Sequence, residues 1–208
     1  TRNGQNYFCS ISDITESFVR ADILEKEAES TELPCRIYLF QGLPKNDKME
    51  WIIQKTVELG VYEVIPVAMK NCVVKLDDKK AKSKVTRWQA IAESAAKQSK
   101  RSLIPEVKMP MSYKEAVAYA KKLDVKLVPY ENEHGMAGTK AAMEQIKKGE
   151  SIAVFIGPEG GFAPEEIALV QDEMQLISLG KRILRTETAG IAALAILGYQ
   201  LESSDMIE

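Results

Sequence analysis

The sequence predicts an α/β protein with a mainly parallel sheet flanked by helices. From Cys35 onward, short runs rich in β-branched and aromatic residues alternate with segments whose apolar residues recur every three or four positions. That alternation is the pattern left by parallel strands joined through crossover helices. The run 152–156 is apolar at every position, as a central strand covered on both faces must be. Apolar residues make up 45% of the 208-residue chain, enough for a large core.

Residues 1–32 stand apart. Short β-like runs at 7–11 and 18–24 precede a Glu-rich stretch from Glu25 to Glu32 that ends at Pro34. So few residues cannot bury a core alone. Residues 1–33 are therefore expected to be the tail of a small β domain, and 34–208 the main domain. The chain opens Thr1-Arg2-Asn3-Gly4, without initiator methionine, signal peptide or basic leader, and is expected to be a fragment.

Within the main domain, Arg36–Gly42 reads as the first strand. Asn46 or Asp47 can cap a helix carrying Met49, Ile52, Ile53 and Leu59, stopped by Gly60. A strand at 61–69 leads to a long helix near 79–99, with Val85, Trp88, Ala92, Ala95 and Ala96 at helical spacing. Ser112-Tyr113-Lys114-Glu115 has the spacing of a capping box and opens a helix to Lys122. A strand at 125–130, a helix at 139–148 and the apolar strand 152–156 follow. Pro164 suits a first helical turn and begins a helix through Val170. The last strand is 176–179, and Thr186 or Glu187 opens the final helix. Trp51 and Trp88 sit at helical apolar positions and are expected in the core.

Composition narrows the function. With 28 Lys+Arg against 30 Asp+Glu the net charge is -2, so affinity for a polyanion has to come from a local patch. Lys75, Lys79, Lys80, Lys82, Lys84, Arg87, Lys97, Lys100 and Arg101 form such a concentration, faced in sequence only by Asp77, Asp78 and Glu93. Taken in isolation, a solvated helix face is the favoured explanation of that run. Cys9, Cys35 and Cys72 are odd in number and far apart, which fits neither a disulfide framework nor a zinc knuckle but does fit a reducing cytoplasm. His134, the one histidine, lies in a predicted loop and leaves little room for a metal site or a Ser-His-Asp triad; no metal is expected. No apolar run approaches the roughly 20 residues a membrane helix needs.

Two segments carry chemistry. In Phe155-Ile156-Gly157-Pro158-Glu159-Gly160-Gly161-Phe162 a buried strand ends in a glycine-rich turn that opens toward a helix. Glycine lets the backbone turn sharply and approach a ligand closely, and ligands of open α/β sheets bind at the carboxyl ends of strands. The spacing matches neither the dinucleotide fingerprint nor a P-loop, and a tight structural turn is an equal explanation for the glycines alone. In Leu179-Gly180-Lys181-Arg182-Ile183-Leu184-Arg185-Thr186-Glu187-Thr188-Ala189 a strand ends at glycine, and hydroxyl residues then open an almost wholly apolar helix. Backbone donors there suit an acceptor-rich ligand such as a purine, although ordinary capping by Thr186 would look the same.

Taken together, I-G-P-E-G-G-F and L-G-x-R-I-L-R-T-E-T-A closely resemble the RsmE family, the bacterial 16S rRNA (uracil-N3)-methyltransferases of the SPOUT superfamily. The resemblance extends through Lys48-Met49-Glu50-Trp51, Lys55, Glu58-Leu59-Gly60, Val73-Val74-Lys75-Leu76, Arg87-Trp88, Ala95-Ala96-Lys97-Gln98-Ser99, Arg101 and Pro105. It departs at Lys70-Asn71-Cys72, where many members carry Arg-Ser before Val-Val-Lys. Family members also begin with further residues that complete an N-terminal PUA-like RNA-binding β domain, of which 1–33 would be the remnant.

The resemblance implies a SPOUT trefoil-knotted domain, a homodimer, and S-adenosylmethionine (SAM) folded against the ends of three strands. Carried over by position, the cofactor residues are Val128, Pro129, Tyr130, Ile156, Gly157, Glu159, Gly160, Leu179, Gly180, Leu184, Thr186, Thr188 and Ala189. At Gly160 a side chain is expected to intrude on the ligand. The implied substrate is 16S rRNA in the small ribosomal subunit, with Lys79, Lys80, Lys82, Lys84 and Arg101 on its backbone. The uracil imide must lose a proton as its N3 attacks the methyl group. Arg185 is the expected cation for the resulting charge, and Glu159 and Glu187 are candidates for the base or for holding Arg185. Two other classes share part of this pattern: a SPOUT enzyme acting on a tRNA ribose 2′-hydroxyl, and a non-catalytic RNA-binding factor.

Overall fold

The computed structural model describes residues 5–26, 30–131 and 135–204. Thr1 to Gly4, part of the Glu-rich link, and Asn132, Glu133 and His134, for which a loop is expected, lie outside them. The elements are β1 (Tyr7–Ile14), β2 (Val19–Lys26), β3 (Arg36–Gly42), α1 (Lys48–Glu58), β4 (Val61–Ala68), α2 (Asp78–Gln98), β5 (Glu106–Val107) and β6 (Met111–Ser112). They continue with α3 (Tyr113–Ala120), β7 (Val125–Pro129), α4 (Ala137–Glu144), β8 (Ser151–Ile156), α5 (Pro164–Val170), β9 (Gln175–Ile177) and α6 (Thr186–Ser204).

The main sheet has the order β5-β4-β3-β8-β7-β9, with β6 also on β4, and every pairing in it is parallel. β8 sits near its middle and all six of its residues are buried, as its unbroken apolar run requires. Alternation along the strands sends side chains to two faces. Leu39, Gln41 and Ile156 meet α6, where a Cβ on Gly190 would lie 3.3 Å from Gln41 Oε1 and 4.0 Å from Leu39. On the other face Phe40 stacks on Phe155 at 4.4 Å between ring centroids, and both meet α3 through Tyr119 and Tyr113. Burying each such ring contributes about 1.5–3 kcal/mol before entropy is counted. The Tyr113 hydroxyl donates to the Glu166 carbonyl and so ties α3 to α5.

The helix signals act as their chemistry predicts. Ser112 accepts from the Glu115 N–H and Glu115 accepts from the Ser112 N–H, so the capping box is formed. Asp77 caps α2 by accepting from the Lys80 N–H at 2.8 Å. Asp47 precedes α1 without a side-chain cap bond and pairs with Lys84 instead. Several expectations need correction. α4 ends at Glu144, short of 148, because Lys147 and Gly149 are drawn into a turn bonded to Glu150 and Pro34. Strands β5 and β6 have two residues each, too few to show a period. Trp51 is not in the core: the buried face of α1 is Met49, Ile52, Ile53, Thr56 and Val57, and Trp51 lies outside it with Lys55 over its ring. Trp88 is buried as expected.

Among the described residues β1 and β2 pair antiparallel only with each other, and leave Phe8, Ile11, Ile14, Ile23 and Leu24 exposed. Among the described residues no helix is long and apolar enough to cross a membrane.

Candidate functional site

At the carboxyl ends of β7, β8 and β9 the chain leaves a cleft of about 600 Å³, within the usual range for small-molecule sites. Both sequence motifs line it. Ile156, Gly157, Pro158, Glu159, Gly161 and Phe162 form one wall. Residues 178–186, with Ala189, form another, and Pro129 and Tyr130 contribute a third. Apolar side chains at Ile156, Leu179, Leu184 and Ala189 suit a flat ring. The bare backbone at Gly180 admits close approach by a ligand, whereas a Cβ on Gly157 would meet Gly161 and the Phe162 ring at 3.3 Å. Gly180, at φ +110°, and Gly161, at φ +66°, take conformations that favour glycine.

Two polar bridges bring motifs that are separate in sequence into one wall. The Thr186 hydroxyl donates to the Gly157 carbonyl at 2.6 Å and accepts from buried Gln41 Nε2 at 2.9 Å. Thr186 is thus a cross-brace between the β8 loop and α6. The second bridge is ionic: Lys48, at the start of α1, lies 3.0 Å from Glu159 Oε1 and 3.2 Å from Glu187 Oε2. The latter approach lies outside hydrogen-bond geometry, leaving Glu187 Oε2 buried without a hydrogen bond among the described residues. The hydrogen bond to Glu159 is the main reason the Lys48 ammonium is held above its ordinary pKa. Burial pushes the Glu159 carboxyl up, but its own N–H, the Lys48 ammonium and the Lys45 N–H outweigh this and hold it below the usual value.

Of the expected cofactor residues, Pro129, Tyr130, Ile156, Gly157, Glu159, Leu179, Gly180, Leu184, Thr186 and Ala189 line the cleft, as does Arg185. Val128 is fully buried behind it and Thr188 is exposed on α6; neither forms part of the wall. Gly160 also needs correcting. It does not line the cleft, and a Cβ there would meet Asn71 Cβ at 2.9 Å, not a ligand. Glu159 and Glu187 are held by Lys48; neither pairs with Arg185, which is exposed and has no ion pair among the described residues.

Among the expected RNA contacts, Lys79, Lys80 and Lys82 are exposed on α2, and Lys84 is half-buried there. Arg101 is overturned as a phosphate contact. Its side chain is 3% exposed, ion-paired to Glu32, and donates to the carbonyls of Val57 at 3.0 Å and Val61 at 2.7 Å. All three of its guanidinium nitrogens donate inside the fold. Sequence reasoning missed Lys48, Gln41 and Asn71. Lys48 stood in a quoted motif, but nothing local to it signals carboxylates that arrive from residues 159 and 187.

A family model described as an RNA methyltransferase domain matches residues 31–198. This chain belongs to that family. Over 206 residues it is 38% identical to the Bacillus subtilis protein named ribosomal RNA small subunit methyltransferase E, covering 97% of this chain and 80% of that one. A crystal structure of the Neisseria gonorrhoeae ribosomal RNA small subunit methyltransferase E bound to SAM is similar at TM-score 0.78 and 33% identity, over 94% of this chain and 79% of that one. A crystal structure of a hypothetical protein is similar at TM-score 0.91 and 39% identity, over 98% and 82%. The family match covers all of the main sheet and the whole cleft, and leaves β1 and β2 outside it.

Proposed function

We propose that this chain transfers the methyl group of SAM to N3 of a uridine in 16S rRNA of the small ribosomal subunit. The observation that carries the reading is the cleft in which the two glycine-bearing motifs of an RNA methyltransferase family member meet. SAM fits what is there: apolar walls for adenine, glycine backbone for close approach, and a volume of about 600 Å³. When bound, it supplies an electrophilic methyl on a sulfonium that departs as a neutral thioether.

The chain's own residues then have distinct tasks. Ile156, Leu179, Leu184 and Ala189 exclude water from the ring-binding wall, and the Thr186 brace fixes the spacing of the loops. Such fixed geometry is the main resource of a reaction that depends on alignment. Arg185, free of ion pairs among the described residues, faces the charge that develops on the uracil imidate. Glu159 is held by the Lys48 ammonium and the Lys45 N–H and its carboxyl lies below its usual range, so it positions Lys48; Glu187, whose Oε2 makes no hydrogen bond among the described residues, is the group that takes the imide proton. The same reading includes a SPOUT knot, a cytoplasmic homodimer, and residues 1–33 as part of a PUA-like RNA-binding domain ahead of the methyltransferase domain 34–208. On α2 the phosphate contacts would be led by Lys79 and Lys82.

Mass spectrometry of nucleosides from a deletion strain tests the target. N3-methyluridine should vanish from 16S rRNA and return when the gene is restored. Loss of a tRNA ribose methyl group in its place would move the enzyme to the other substrate. Light scattering should give twice the 23.2 kDa chain mass; a monomer would count against the dimer.

A further inference from the structure

We infer that Asn71 is a positioning residue for the cofactor loop: its amide clamps the outer side of residues 157–161 and so sets the shape their inner side presents to SAM. The inference rests on the SAM reading above. The turn that carries Asn71 follows β4 and is itself tightly held. The Cys72 N–H donates to the Met69 carbonyl at 3.1 Å, and the Met69 N–H donates to Cys72 Sγ at 3.3 Å. The Lys70 N–H donates to Glu166 Oε1 at 2.9 Å, while the other oxygen of this buried carboxylate accepts from the Ala163 N–H at 2.8 Å. Lys70 also pairs with Glu165. The turn is thereby docked on the start of α5.

From this platform Asn71 Nδ2 donates to two successive carbonyls of the loop, Gly160 at 3.0 Å and Gly161 at 3.2 Å. An amide nitrogen has two hydrogens, so both bonds can form at once. Gly160 is packed against the clamp itself: a Cβ there would lie 2.9 Å from Asn71 Cβ and 3.3 Å from the Asn71 carbonyl. The opposite side of the same loop, at Gly157, Pro158, Glu159 and Gly161, lines the cleft. Glycines bring no side chain to hold such a loop from within. The clamp supplies from outside the order that a ligand would otherwise have to impose on binding.

The full chain with Asn71→Ala or Asn71→Asp tests this. Asp keeps the shape of Asn but, ionised, has no donor and turns a carboxylate on two carbonyl oxygens. In the free protein, amide hydrogen exchange at Gly160, Gly161 and Phe162 should speed up in both variants, with little change in the global urea midpoint. By calorimetry, SAM affinity should fall about three- to tenfold for Asn71→Ala, as for one or two hydrogen bonds open to solvent, and further for Asn71→Asp. Gly160→Ala should also weaken SAM, although residue 160 faces away from the cleft. Wild-type protein that binds SAM alongside variants that bind it equally well overturns the clamp. So does an affinity loss matched by global destabilisation with no local change in exchange. Wild-type protein that binds no SAM overturns the cofactor reading itself, and the inference with it.

Discussion

Two stretches of positive charge look alike in sequence and differ in the fold. On α2, the run Lys79, Lys80, Lys82, Lys84 and Arg87 is partly answered by carboxylates. Asp77 lies 3.4 Å from Lys80, Asp47 lies 3.5 Å from Lys84, and Glu50 lies 2.7 Å from Arg87. At the cleft, Lys181, Arg182 and Arg185 are all exposed and have no ion pair among the described residues. The longer run is therefore the more neutralised one. Two of its answering carboxylates come from beside and within α1, which packs on α2. A count of local charge cannot see an acid that arrives from another element. Arg101 is the limiting case, a cation wholly consumed inside the protein.

The comparison can be tested from its strongest consequence downward. Arg185→Ala should cut single-turnover methyl transfer by about a hundred- to a thousandfold, the usual cost of losing a donor aimed at developing charge, while RNA affinity by filter binding hardly changes. Equal losses in both would make Arg185 an ordinary RNA contact. Arg101→Ala should destabilise the fold by about 3 kcal/mol in urea titrations, because it leaves Glu32 beside buried backbone without its cation. RNA affinity of the folded fraction should stay the same; a lowered salt slope in this variant would restore Arg101 to the RNA surface.

A smaller effect separates the lysines of α2. Replacing Lys79 and Lys82 with Ala should lower the slope of log affinity against log salt by about 0.7 to 0.9 per lost contact. Replacing Lys80 and Lys84, which already have carboxylate partners, should do less. The reverse order would show that these ion pairs open when RNA binds. The smallest effect is acid sensitivity. Glu159 is held below its ordinary pKa in the fold, so its contribution is present above the ordinary carboxylate range and is lost as pH falls through the lowered value. Glu159→Gln should flatten that acid limb of the stability profile and leave the alkaline side alone; an unchanged limb would mean that the Lys48 bridge carries no stability.

Much of the architecture was legible because it rests on period and on local chemistry. The all-apolar β8, the Ser112–Glu115 capping box and Pro164 at a first helical turn are readable from a few adjacent residues, and each forms where it was expected. Trp51 departs from expectation because it is apolar and stands between Met49 and Ile52 on the chain, yet lies off the face those two share. Strands β5 and β6 are too short to carry a pattern and exist because β4 offers them a partner edge.

The cleft divides in the same way. Gly157, Glu159, Gly180, Arg185 and Thr186 were found because glycines, hydroxyls and charges cluster within two short motifs, and those motifs do line one cavity. What each residue does there was decided by contacts between distant positions. That Lys48 lies between Glu159 and Glu187, and that Asn71 packs against Gly160, is visible only in the fold. Strand period, caps and turns depend on near neighbours, so the parallel α/β class, the elements other than β5 and β6, and the segments that line the cleft are all legible in the sequence. Which charges have partners, which glycines line the cleft and which arginine is structural emerge from contacts between elements. Apart from the local Lys80–Asp77 pair, the partners that decide them lie from 37 to 139 residues away, and distance along the chain says nothing about distance in space.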